Sequence, residues 1–279
     1  MRKLLALLLV FSLMLPALAL GEELGVIFSY DSDTLRFTIS YLEYKGADCY
    51  LTRLWMADPA RQIHKVAADW HRGLENPLTL GTRCLGAALC VNASGFVSPQ
   101  YPEIPKNYPG TSSDYYYTPL GSLTVTDGEV VRELSGVPYY GLTLEADGLH
   151  LYNGADNAKV LAASPLQTWA FYVRSPLVVD HQSIVDENWT FARAQAPRNL
   201  IARLDDGSYV LLTAADDLNR GLNLINAVAL LQEKFDPEWV FNLDGGDSTA
   251  LIARRKASDK LKVIFGNVAK VTDVMVITE

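Results

Sequence analysis

"FNLDGGDSTALIAR", Phe241–Arg254, sets two carboxylates, two hydroxyls and an amide around a Gly-Gly pair inside sequence that otherwise reads as strand. Glu238-Trp239-Val240-Phe241 has the apolar character of a strand, which places Asp244 near a strand's end. Gly245 and Gly246 allow a sharp turn and leave backbone N–H groups uncovered by side chains, as an anion site requires. Asp244 and Asp247 are groups that serve as acid, base or cation ligand. A Gly-Gly turn between aspartates is also a common plain turn, so its meaning depends on what surrounds it.

Upstream, "RGLNLINAVALLQEKFD" predicts an amphipathic helix. Leu224, Ile225, Val228, Leu231 and Phe235 recur at helical spacing, and Asp236-Pro237 stops it. Ahead of the helix, "TAADDLNRG" holds Asp216, Asp217 and Arg220, and "QAPRNLIARLDDG" puts Arg198 at the mouth of a hairpin. If that hairpin and the strand ending at Asp244 share a sheet, Arg198, Arg220 and Asp244 come together. Arginine forks match the geometry of a phosphate.

Three Asp-Gly pairs, Asp127-Gly128, Asp147-Gly148 and Asp206-Gly207, sit between short apolar runs and predict tight hairpins. "LRFTI" at Leu35–Ile39 alternates with period two, Cys49–Met56 is a further strand, and "GAALCVN" is a buried strand ending at Asn92. Asp58 and Pro59 are the N-cap and first residue of a short helix. The fold class expected is therefore α+β: a β-rich, largely antiparallel sheet with a few packed helices. Ser98–Pro119 is rich in Pro and Tyr and cannot be helix. It reads as an exposed loop, either a connector or a rim whose tyrosines stack on sugars.

Residues 1–21 read as a secretory signal peptide: Arg2 and Lys3, an apolar run from Leu4 to Leu15, then Ala17-Leu18-Ala19. Residues 22–279 are expected to form a single domain, exported to the cell envelope or beyond in a bacterium, with no stable membrane span after cleavage. The whole chain carries a formal charge of −8, and losing Arg2 and Lys3 makes it more acidic. That excludes nucleic acid and anionic membrane as main partners, because both need a basic face. Cys49, Cys84 and Cys90 are odd in number, so at least one has no partner within the chain. Cys90 suits a buried apolar position, and a Cys84–Cys90 bridge would close a short loop. The cysteines and the four histidines lack metal-site spacing.

The stretch from Arg220 to Ala253 resembles the phosphodiester glycosidase family, whose best-known member, the uncovering enzyme, removes N-acetylglucosamine from a phosphodiester. The family's N-L-D-G-G-G-S-T hallmark is matched by Asn242-Leu243-Asp244-Gly245-Gly246-Asp247-Ser248-Thr249. Its R-G helix start is matched by Arg220-Gly221-Leu222-Asn223-Leu224. Pro197–Ala202, Asn92–Phe96 and Ser175–Asp180 match further segments in part, in the family's order. The third hallmark glycine is Asp247 here, and Asn199 and Ala202 stand where the family has Thr and Gly.

The resemblance implies a divergent bacterial hydrolase that cleaves between a sugar's anomeric carbon and a phosphodiester. Asp244 is the leading carboxylate it implies and Asp216 a second candidate, with Arg198 and Arg220 holding phosphate. Asn92 and Asn242 would orient the site, and Gly245, Gly246, Asp247, Ser248 and Thr249 would line it. The implied partner is a carbohydrate or sugar-phosphate substrate. No cofactor is required. A divalent cation is left open, since Asp244 and Asp247 fall short of the six to eight oxygens calcium takes. The changed hallmark leaves a second reading: a relative that binds envelope glycan or a phosphate-containing polymer without cutting it.

Overall fold

A computed structural model of the chain describes residues 24–69, 73–97, 118–133, 139–171, 174–215 and 220–279. The expected signal peptide, most of the Tyr-rich stretch (98–117) and Asp216 lie outside them. Two antiparallel sheets carry the fold. The larger has eight strands in the order Gly25–Asp31, Leu35–Tyr44, Ala47–Met56, Tyr209–Ala215, Arg198–Arg203, Trp239–Asn242, Pro176–Val179 and Gln182–Ser183. The second has five, in the order Lys262–Gly266, Ala250–Ala253, Ala87–Asn92, Asp273–Thr278 and Ile63–Ala67. A three-stranded sheet, Gly148–Ala155, Tyr139–Glu145 and Gln167–Ala170, adds Leu142, Leu144, Leu149 and Trp169 to their common core.

Strand alternation decides which side chain meets which layer. Ile201, Tyr209, Leu211, Trp239 and Phe241 of the first sheet face Leu89, Val91, Leu251, Met275 and Ile277 of the second, and all are buried. The residues between them point the other way. Leu200, Ala202, Val210, Leu212 and Val240 meet the helix Leu224–Phe235 through Leu224, Ala227, Val228 and Leu231. Cys90, Ile252, Val274 and Val276 meet Leu80 of the helix Pro77–Arg83. Each sheet is thus covered on both faces, which explains why its central strands are apolar throughout and do not show a polar alternate.

Local chemistry sets the ends of these elements. The Asn223 side chain accepts the N–H of Asn226 and caps the long helix, which stops at Asp236 in a left-handed conformation (φ 45°) before Pro237. All three Asp-Gly hairpins form, and Asp127 and Gly128 both have positive φ, as a primed turn demands. The short helix Pro59–Gln62 starts on the Asp58 cap.

The proposed Cys84–Cys90 loop is not closed, and all three cysteines are free thiols. Cys90 points under the helix Pro77–Arg83, where its thiol meets the Pro77 carbonyl at 3.7 Å and crowds Gly81.

Phe241–Ala253, the stretch with the Gly-Gly pair, is the passage between the sheets. It leaves the first sheet after Asn242, turns through a 3-10 segment at Gly246–Ser248, and enters the second at Ala250. Leu251 then plugs the layer between the sheets. Leu251→Ala is expected to lower stability by about 2–5 kcal/mol in urea denaturation; a loss under about 1 kcal/mol would mean that the sheets do not share a close-packed core there.

Candidate active site

Asp244 sits at this passage and is almost sealed, with 9% of its surface exposed. Its backbone is tied to both sheets. The Asp244 N–H donates to the Ala93 carbonyl at 2.8 Å, the preceding Leu243 N–H donates to Asn199 O, and the following turn donates from Gly246 N–H to Pro197 O at 2.9 Å. Gly245 has to be glycine here, because a Cβ would lie 2.6 Å from the Pro197 carbonyl. Gly246 has a φ of +63° with open space beside it.

Asn92, at the end of its buried strand, organises the carboxyl group. Its Nδ2 donates to the Asp244 carbonyl at 2.7 Å and reaches the Asp244 carboxylate at 3.4 Å. Its Oδ1 accepts the Ala250 N–H at 2.9 Å and an N–H of Asn199. One amide therefore links three strands and fixes where the carboxyl points. The Ser248 side chain and the Gly245 N–H also bond to the carboxyl. These bonds favour the charged form, yet loss of water outweighs them, and the nearby Asp273 adds to the effect. The pKa of Asp244 is pushed up to about 7.

The other expected residues fall in three groups. Asn92, Asn242, Asp244, Gly245, Gly246, Ser248 and Thr249 come together. Asp247 is on the same turn but exposed, so its side chain does not fill the buried site. Arg220 is exposed, on the segment whose Gly221 presses against the Ala196 carbonyl while Leu222 bridges to Ala196. That segment and the Gly-Gly turn thus flank the same Ala196-Pro197 backbone.

Arg198 is placed differently from the phosphate-holding expectation. It is 3% exposed, and its guanidinium donates to the carbonyls of Leu222, Phe191 and Ala194 while lying 4.4 Å over the Phe191 ring. Burial brings its pKa down to about 10. Its donors serve the backbone, which makes it a clamp on the segments around the site.

The Gly-Gly N–H groups are also committed within the chain, to Pro197 O and to the Asp244 carboxyl. They are not a free anion nest.

Four buried polar atoms on the Asp244 passage and the segments bonded to it have no hydrogen-bond partner among the described residues: Asn242 Oδ1, Asn199 Oδ1, Thr249 Oγ1 and Ser94 Oγ. Such groups cost about 1–3 kcal/mol each when left unpaired, and concentrated polarity of this kind marks a place built for something other than stability. Asn199, Ser94, Lys65 and Asp273 escaped the sequence reading as site residues. The visible signal was a charge inside each of two apolar strands, "IHKVA" and "DVMVIT", since a buried charge requires a partner. Among the described residues, the group of three side chains able to hold a metal ion, Glu145, Asp147 and His150, is on a hairpin of the three-stranded sheet and does not include Asp244.

Two outcomes follow from this geometry. The folded chain retains the Asp244 proton between about pH 4 and pH 7, where the unfolded chain has released it, so stability falls as pH rises through that window and is level above it. Asp244→Asn should therefore stabilise the fold relative to the parent at about pH 8, with the gain shrinking towards about pH 4. A pH-independent difference in urea midpoints would contradict the raised pKa. Arg198→Lys keeps the charge but loses the planar fork, and is expected to cost about 1–3 kcal/mol in the same assay by leaving buried carbonyls unpaired. An unchanged midpoint would rule out the clamp.

The sequence profile of the phosphodiester glycosidase family matches residues 86–278. No curated protein matches the chain in sequence. Among solved structures, the chain is similar to the catalytic domain of zebrafish N-acetylglucosamine-1-phosphodiester alpha-N-acetylglucosaminidase, a form auto-inhibited by its pro-peptide. The TM-score is 0.66 at 15% identity, covering 92% of this chain and 88% of that one. A protein from Synechocystis gives a TM-score of 0.55 at 13% identity, covering 89% of this chain and 63% of that one. A Burkholderia pseudomallei protein described as exported gives 0.52 at 12%, covering 87% and 75%. At these identities the structures speak for the fold, and the matched profile, which spans more than half of the chain and includes the Asn92 strand and the Asp244 turn, speaks for the family. This chain belongs to the phosphodiester glycosidase family.

Proposed function

We propose that this protein is an exported glycosidase that hydrolyses the bond between a sugar's anomeric carbon and a phosphodiester. The observation that carries the proposal is the buried carboxyl of Asp244, held by Asn92 and Ser248 with its pKa raised to about 7. A carboxylate of ordinary pKa is a feeble base at neutral pH. One poised near 7 takes up and returns a proton at nearly equal cost.

In the reaction proposed, water attacks the anomeric carbon while Asp244 takes its proton. The carbon–oxygen bond to phosphate breaks, and the phosphate leaves with the bonding electrons. The proton on Asp244 then returns to solvent or to the departing phosphate. Positive charge builds on the sugar ring as the bond to phosphate breaks, and the departing phosphate keeps the electrons of that bond. Arg220, exposed at the same end of the first sheet, is the cation offered to the phosphate oxygens. Asn242 and Thr249, with their unpaired polar atoms, are the groups offered to the sugar's hydroxyls. Asp216 remains proposed as a second carboxylate. Export rests on the leader read at residues 1–21; among the described residues no helix is long and apolar enough to cross a membrane.

Release of free sugar from a panel of sugar-1-phosphodiesters tests the proposal. Cleavage is expected, with kcat/KM rising as pH increases through about 7 and falling about 100- to 10,000-fold in Asp244→Asn. Saturable binding of the same compounds without turnover would instead support a glycan-binding relative. Full activity in Asp244→Asn would remove Asp244 from the chemistry.

A further inference from the structure

A lysine–aspartate pair is buried next to the site. Lys65 Nζ lies 3.2 Å from the Asp273 carboxylate, with side-chain exposures of 2% and 0%. The two come from adjacent strands of the second sheet, Ile63–Ala67 and Asp273–Thr278. Lys65 also donates to the Thr168 carbonyl at 2.7 Å. Burying such a pair is costly, and an apolar pair of similar volume would serve the fold at least as well. Its neighbours suggest another role. Asp273 Oδ1 accepts the Ser94 N–H at 2.8 Å. Ser94 directly follows Asn92 and Ala93, the two residues that hold the Asp244 carboxyl and its backbone. Val274 pairs with Asn92 across the strands, so Asp273 stands beside the same segment.

We propose that Lys65 and Asp273 are positioning residues for Asp244: the pair fixes the 92–94 segment through which Asp244 is held, with the Asp273 carboxylate set against that segment. The inference rests on the reading of Asp244 as the site's proton acceptor. The carboxylate of Asp273 disfavours a second negative charge nearby, and Lys65 is its buried partner. No other charged group among the described residues takes that place. Asp247 is exposed on the turn, and Arg198 directs its guanidinium to backbone carbonyls on the helix side of the first sheet. The strand of Asn92 offers no titratable group besides the buried Cys90 thiol, which faces the opposite side of its sheet. Neither Lys65 nor Asp273 needs to touch substrate.

The test is the titration of Asp244 followed by carbon NMR of side-chain-labelled aspartate, its signal assigned by its loss in Asp244→Asn. It needs no turnover, so failure of the glycosidase proposal and failure of this one are separable. Asp273→Asn keeps an oxygen for the Ser94 N–H and removes the charge. The midpoint of Asp244 is expected to fall by about one unit. The double variant Lys65→Met/Asp273→Asn removes the whole pair, covers the case in which the single variant does not fold, and should lower the midpoint less. In the active enzyme the acid limb of kcat/KM should move the same way with KM unchanged. An Asp244 midpoint that stays at the parent value in the folded variants would overturn the proposal, even if their stability changed.

Discussion

One carboxyl group taken out of water governs this structure. Asp244 is carried by the passage between two sheets, where the chain must leave one hydrogen-bonded ladder and enter another. A backbone crossing there exposes polar groups in a place water barely reaches, and each has to be met by the chain itself. Asn92 meets most of them, with Ala93, Pro197 and Asn199 supplying the rest. The same network leaves the carboxyl short of solvent and only partly compensated, which is what raises its pKa. Rigidity of the crossing and the raised pKa of the group have a common cause.

The surrounding layers serve that arrangement. The helix Leu224–Phe235 covers the outer face of the first sheet, and the Arg198 guanidinium ties the helix approach at Leu222 to the short helix Thr190–Arg193 through Phe191 and Ala194. Close packing on both faces holds the central strands still, and a site built on such strands keeps its geometry better than one built on loops. Arg198, expected with Arg220 to hold phosphate, instead holds the frame, and Arg220 lies exposed at the surface.

Much of the fold was legible because it follows local rules. The three Asp-Gly hairpins, the amphipathic helix with its Asp-Pro stop, and the Asp58-capped turn each rest on a few adjacent residues. The helix Pro77–Arg83 and the strand Asp273–Thr278 were not seen: seven residues including a glycine give little periodicity, and a strand buried on both faces shows no polar alternate. At the site, Asp244 and its turn were legible as a motif, whereas the direction of a side chain was not. Arg198 points towards backbone carbonyls, the Gly-Gly N–H groups face inward, and Asn199 and Asp273 join the site through pairings more than a hundred residues distant in sequence. Nothing in a linear pattern fixes those directions.

The central claim is that the bond broken is the one to the sugar's anomeric carbon. Hydrolysis of a sugar-1-phosphodiester in heavy-oxygen water, with both products read by mass spectrometry, tests it most directly. A carbon–oxygen cleavage assisted by Asp244 puts the heavy oxygen in the released sugar and none in the phosphate. Heavy oxygen found in the phosphate instead would make the protein a phosphodiesterase on this fold and would contradict the account.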